Sequence, residues 1–160
     1  AAGISDLLKY PENSREIVNN LRENYSITGK IEIVSAKIEI GAAETRRYPF
    51  VGSKILIDYS KIENISEIEL KGLLAHELAH LEDYSKRGWF SLLSLVLRYS
   101  ISSDFKEKYE KQIDLIAIQK GYGEELLAYR EYRLQSSEKE ELLFIQKNYL
   151  SPDEIKEEMK

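Results

Sequence analysis

The chain has no cysteine. That removes disulfide bridges, thiolate metal ligands and a cysteine nucleophile together. Histidine is almost as scarce, with two in 160 residues, so any metal site must be completed by carboxylates. Three prolines and eight glycines are too few for a collagen-like or low-complexity chain, and serve only to punctuate a folded one. No apolar run approaches the roughly 20 residues a membrane-spanning helix needs. Positive charge is not in excess either: 23 Lys and Arg against 28 Asp and Glu give a net charge of -5. Binding to a phosphate backbone rests on clustered cations, so nucleic acid is not an expected partner. The first residues lack the basic and apolar regions of a signal peptide, which makes the cytoplasm the expected location.

What remains is 42% hydrophobic and 32% charged, the balance of one globular domain over residues 1–160 with a sizeable core. No internal repeat divides it. An amphipathic helix is expected from about Glu12 to Asn24, with Ile17, Val18 and Leu21 on one face. Lys30–Ile40, Arg46–Val51 and Lys54–Tyr59 then alternate apolar and polar residues, which predicts three strands in a small antiparallel sheet. From Ser66 the period becomes helical. Ser66 and Glu69 match a capping box, and Gly88 supplies the stop after Lys86 and Arg87. Further helices are predicted from Ser103 to before Gly121, over Glu124–Gln135, over Glu138–Lys147 behind Ser137, and from Ser151-Pro152 onward. The fold class is α+β.

His76-Glu77-Leu78-Ala79-His80 is an H-E-x-x-H pattern well inside the helix that starts at Ser66. Two imidazoles four residues apart project from the same side of a helix, one turn above another, so both can reach one Zn²⁺. Glu77 lies about 100° further round. There its carboxylate reaches a water at the metal without being a ligand, the position of a general base. Chance is a poor account of the pattern: two histidines scattered at random fall four apart in about 1% of arrangements, and a glutamate between them lowers that to about 0.2%.

Catalytic zinc usually takes three protein ligands and leaves one position open. The third must be Asp or Glu. Glu110 is the candidate, because it sits at i with Asp114 at i+4 on the second long helix, beside the apolar flank of Ile113 and Ala117. Asp114, one turn on, is placed to hydrogen-bond the outer nitrogen of a zinc histidine and fix its tautomer. The competing reading is an exposed charge pair.

H-E-L-A-H followed by Glu110-Lys-Gln-Ile-Asp114 resembles the H-E-x-x-H and E-x-x-x-D pair of gluzincin metallopeptidases. With the run Asp114-Leu-Ile-Ala-Ile-Gln-Lys-Gly-Tyr-Gly-Glu-Glu-Leu-Leu it is similar to the minigluzincins, small soluble archaeal proteins that look like minimal catalytic domains of CAAX-prenyl-protease-type and related integral-membrane zinc proteases. The likeness covers roughly Lys54 to Gln135. It implies a zincin-like domain, zinc on His76, His80 and Glu110, a general base at Glu77 and a supporting role for Asp114. Ile113 departs from the small Ala of many relatives, which puts the helix spacing at the site in question. The resemblance also implies that the C-terminal segment, residues 149–160, blocks the site in a latent form, with Asp153, Glu154, Glu157 or Glu158 replacing a water on the metal. A solvated charged helix is the plain alternative.

Three features complete the reading. An oxyanion needs a donor, which with both histidines used must be a Tyr, an Arg or a backbone amide; the side-chain candidates are Tyr129, Arg130, Tyr132 and Arg133, with Tyr129 and Arg130 carried forward. The strand from Gly52 to Tyr59 precedes the active-site helix and is the expected edge for an extended peptide or protein substrate. The run Trp89-Phe-Ser-Leu-Leu-Ser-Leu-Val-Leu is too short to span a membrane and reads as a buried or partly buried helix; peripheral membrane contact or self-association through Trp89 and Phe90 is the less favoured alternative. The expected function is a zinc endopeptidase. A catalytically silent, metal-stabilised binding or regulatory module on the same scaffold is the second hypothesis.

Overall fold

A computed structural model describes the backbone of residues 4–160 and the side chains of residues 13–160. Its elements run α1 (Ile4–Leu21), β1 (Ile31–Ser35), β2 (Ala43–Tyr48), β3 (Gly52–Ile57), α2 (Glu67–Lys86), α3 (Trp89–Ile101), α4 (Ser103–Ala117), α5 (Gly123–Ser136), α6 (Lys139–Asn148) and α7 (Pro152–Glu158). The architecture is α+β, with one three-stranded sheet packed on helices.

The sheet is mixed, where the sequence predicted an antiparallel one. Strand order is β1-β3-β2: β3 pairs in parallel with β1 and antiparallel with β2. Apolar alternation reports which face of a strand is buried and carries no information on the direction of its neighbour. The expected Lys30–Ile40 strand ends at Ser35, and the loop that follows is anchored where the Ile38 N–H donates to Asp58 (3.1 Å). The other two strands also begin earlier than expected, at Ala43 and Gly52, around a turn at Pro49-Phe50. Gly52 is required there: its φ is +125°, and a Cβ would meet the Lys30 carbonyl at 2.8 Å.

α2 is the axis of the molecule. The Ser66 hydroxyl accepts from the Glu69 N–H, and the Glu69 carboxylate accepts from the Ser66 N–H at 2.7 Å, the reciprocal cap the sequence predicted. Residues from Leu70 to Glu82 are buried on nearly every side, with α5, α4, α1 and β2 packed around them. A helix buried all round is apolar all round, apart from residues held in polar contacts. Here those residues are His76, Glu77, His80 and Glu82. Ile17, Val18 and Leu21 of α1 are buried as expected. Ile113 of α4 is buried fully, so the larger side chain fits between the helices at this contact.

One further expectation changes: the N-cap of α6 is Glu138 and not Ser137. The apolar run after Gly88 forms the expected partly buried helix, α3, with Leu95 buried and Leu92 and Tyr99 half-buried against the core. Its remaining large apolar residues face outward or line the cavity described below. Between α4 and α5 the chain makes a wider turn over Ile118–Tyr122, with Gly121 at φ +95°.

Candidate metal centre

α2 and α4 bring the two halves of the motif together. The His76 Nε2 and His80 Nε2 each lie 3.2 Å from the Glu110 Oε2. One donor atom from each of the three side chains falls within 4.8 Å of the others, and all three residues are buried. Ligands about 2.05 Å from a tetrahedral ion stand about 3.3 Å apart. The spacing therefore matches a shared cation.

The surroundings hold those donors in place. The His76 Nδ1 is 2.8 Å from the Asp114 Oδ1, which fixes the tautomer that leaves Nε2 free as a ligand. Asp114 has no solvent exposure, and the Arg130 Nη2 donates to both of its oxygens (3.0 and 2.9 Å). The Leu150 N–H completes its set at 2.9 Å. On the other ligand, the Tyr99 hydroxyl donates to the Glu110 Oε1 at 2.7 Å. The His80 Nδ1 has no such partner among the described residues, and its ring is instead held between Tyr84 and Tyr109.

Charge also favours a cation. With neutral imidazoles, the three buried carboxylates of Glu77, Glu110 and Asp114 outnumber the one buried guanidinium that pairs with them, Arg130. A divalent ion would balance them. Without a metal, a proton serves in part. Burial alone would lower His76, but the hydrogen bonds and charges of Asp114 and Glu110 overcome it and raise its pKa to about 10. Burial likewise pushes the Glu110 carboxyl up, and His80 and His76 pull it well below the ordinary carboxylate range.

Glu77 sits beside the three candidate ligands and does not join them. Its Oε2 accepts from the Thr45 hydroxyl of β2, which orients the carboxylate. The sequence reading missed Thr45, and its signal is faint: one hydroxyl on the inward face of a strand. Glu77, both histidines and Glu110 line a cavity of about 540 Å³, walled by β2 on one side and by Leu92, Val96 and Tyr99 of α3 on the other. A pocket of about 30 Å³ lies next to Glu77 and His76 and has Tyr129, Arg130 and Arg133 in its wall.

The expected oxyanion donors are differently employed. Arg130 is committed to Asp114, Tyr132 donates to the Glu63 carbonyl, and Arg133 holds the Lys61 carbonyl and Glu141. Tyr129 borders the small pocket and not the main cavity, and its phenol is pushed up to about 12 by burial. Tyr149 stands where they were expected. Its ring packs edge-on against His76 at 5.5 Å, under the Arg130 guanidinium at 4.4 Å, and it lines both cavities. No motif marks it, because it comes from the C-terminal segment and meets His76 only in the tertiary structure.

That segment enters the site through Tyr149 and Leu150. None of Asp153, Glu154, Glu157 and Glu158 lines the cavity, and Glu154 caps α7 through Ser151. The expected substrate strand also moves. β3 is the central strand and both its edges are paired, so the free edge at the cavity is β2. The Asp58 N–H donates to the Ala42 carbonyl. By the alternation of an antiparallel ladder, the backbone groups of Ala43, Thr45 and Arg47 therefore point to the free edge. Compared with known proteins, the chain matches no protein-family model, no curated protein and no solved structure.

Proposed function

We propose that this chain is a zinc-dependent endopeptidase with a zincin-like catalytic domain. The observation that carries the reading is the convergence of His76, His80 and Glu110 on one point beside a non-ligating Glu77, in a cavity bordered by a free strand edge. Two nitrogens and one carboxylate oxygen are the donor set of hydrolytic zinc sites, and three protein ligands leave a position for reaction. When bound, the ion supplies Lewis acidity, making a water acidic near neutral pH and polarising a carbonyl.

The protein's own groups do the rest. The outward backbone of Ala43, Thr45 and Arg47 pairs with an extended peptide and sets its scissile carbonyl over the site. Glu77 takes a proton as water adds to that carbonyl carbon, and returns it to the amine nitrogen as the C–N bond breaks. Thr45 keeps Glu77 aimed at the water throughout. The Tyr149 hydroxyl has no hydrogen-bond partner among the described residues and donates to the oxyanion. Burial raises its pKa well above the phenol range, so it keeps the proton it donates.

The test compares the full chain with Glu77→Gln on casein and on quenched peptides, alongside zinc content by elemental analysis. The reading expects one zinc per chain in both proteins and cleavage only by the unaltered one. Zinc in both with cleavage by neither would favour a metal-stabilised binding module. The full chain is the form to assay, because truncation after Asn148 would remove Tyr149 and the Leu150 N–H from the site.

A further inference from the structure

α3 turns its apolar side outward. Phe90 (92% exposed), Leu93, Leu97 and Ile101 (82%) recur at i, i+3, i+7 and i+11, which sets four large side chains on one side of the helix. The turn between β2 and β3 adds a fully exposed Phe50. Strand and helix are joined here: the Arg47 guanidinium lies over the Trp89 ring at 5.3 Å and donates to the Tyr84 carbonyl. Scattered exposed apolar residues are ordinary, but a continuous row beside a cleft marks a surface that something covers.

Charge identifies the cover. Residues 46–54 and 84–103 together contain six Lys and Arg and no Asp or Glu, in a chain of net charge -5. Four of the six pair with acids of other segments: Arg46 with Glu44, Lys54 with Glu32, Lys86 with Glu82 and Arg87 with Asp83. Arg47 and Arg98 have no carboxylate partner among the described residues. They rest on the rings of Trp89 and Phe105. Apolar side chains flanked by unneutralised cations complement an anionic lipid surface. They do not suit a second copy, because a two-fold pairing of this face would set those cations against their own kind.

We infer that α3 and the β2–β3 turn dock the protein on the surface of an anionic membrane, with α3 lying in the plane of the interface. Thirteen residues of helix reach about 20 Å, short of the roughly 30 Å hydrocarbon core. No described helix is long and apolar enough to cross a membrane. The helix that docks also walls the cavity through Leu92 and Val96, so the cleft stands beside the lipid surface. The inference needs only the surface, and holds whether or not the site hydrolyses peptides.

Trp89 is the single tryptophan of the chain and sits at the proposed contact, so its emission reports docking. The full protein is mixed with phosphatidylcholine vesicles, or with vesicles carrying about 30% phosphatidylserine, and followed by Trp89 fluorescence and co-sedimentation. A blue shift and sedimentation with the anionic vesicles alone are expected, weakening as salt is raised. Phe90→Ser with Leu97→Ser lowers the partition at least tenfold, and Arg98→Gln about fivefold. Both leave the far-UV circular dichroism unchanged, since these side chains are exposed. Three results would overturn the inference: no binding to anionic vesicles at low salt, equal binding to neutral ones, or a concentration-dependent dimer that the double substitution disperses.

Discussion

Replacing Asp114 with alanine probes the centre at its most connected point. Asp114 is fully buried and accepts from His76, from Arg130 and from the Leu150 N–H. Its loss strands a buried guanidinium. Arg130 is 3% exposed, and among the described residues its Nε has no partner and its Nη2 is bound to Asp114, so of these contacts the Tyr149 ring would remain against the charge. Breaking a buried pair from one side costs about 3–5 kcal/mol, and an orphaned backbone N–H about 1–3. The two overlap, so a loss of about 4–6 kcal/mol is expected, a large share of the 5–15 kcal/mol a domain of ordinary stability holds. Asp114→Asn keeps the shape and one acceptor and should fall between alanine and wild type. Arg130→Met added to Asp114→Ala removes the stranded charge and should restore at least about 2 kcal/mol relative to the sum of the single changes. Urea unfolding followed by circular dichroism in EDTA measures this without any contribution from metal binding. An Asp114→Ala protein within about 1 kcal/mol of wild type, or a double variant whose cost equals the sum, would refute the network as described. With zinc present, Asp114→Ala should weaken metal affinity about 10–100-fold, measured by competition with a chromophoric chelator.

Other outcomes follow from single contacts. Tyr149→Phe should lower kcat about 10²–10³-fold and leave KM and zinc content nearly unchanged, which steady-state kinetics on a quenched peptide would read; a KM effect alone would mean that the hydroxyl binds substrate and does not stabilise the reacting carbonyl. Gly72→Ala should destabilise strongly, because its Cβ would fall 2.0 Å from the Glu125 carbonyl oxygen, where α2 and α5 touch; a loss of at least about 3 kcal/mol in urea is expected, and a neutral result would mean that the helices are further apart than they stand here. Asp58 accepts from the Ile38 N–H and from Ser60. Burial raises its pKa, but these hydrogen bonds outweigh it and hold the carboxyl below its ordinary value. A lowered folded pKa gives stability that is complete above the unfolded value of about 3.9 and is lost as pH falls through the folded one. Asp58→Asn should therefore be less stable than wild type at pH 6, by a margin that narrows below about pH 4 in unfolding titrations.

Local chemistry was legible in the residue order. The cap at Ser66–Glu69, the 3.6-residue period of α2 and the four-residue spacing of His76 and His80 are short-range properties, set by backbone hydrogen bonding and helix pitch within a few turns. The absence of cysteine and the shortage of histidine left only carboxylates as candidates for a third ligand, and Glu110 and Asp114 were visible as a pair one turn apart. Tertiary structure decided the rest. Which edge of the sheet is free depends on strand order, and alternation within a strand says nothing of its neighbours. Tyr149 and Leu150 stand at His76 and Asp114 only because the chain returns there, and Thr45 meets Glu77 only across the contact of β2 with α2. The outward face of α3 stayed open between a partly buried helix and a surface contact through Trp89 and Phe90 for the same reason: a row of apolar residues looks alike whether a neighbour covers it or not. Helix pitch is a property of consecutive residues; coverage, edge exposure and the pairing of buried charges are properties of what the rest of the chain leaves beside them.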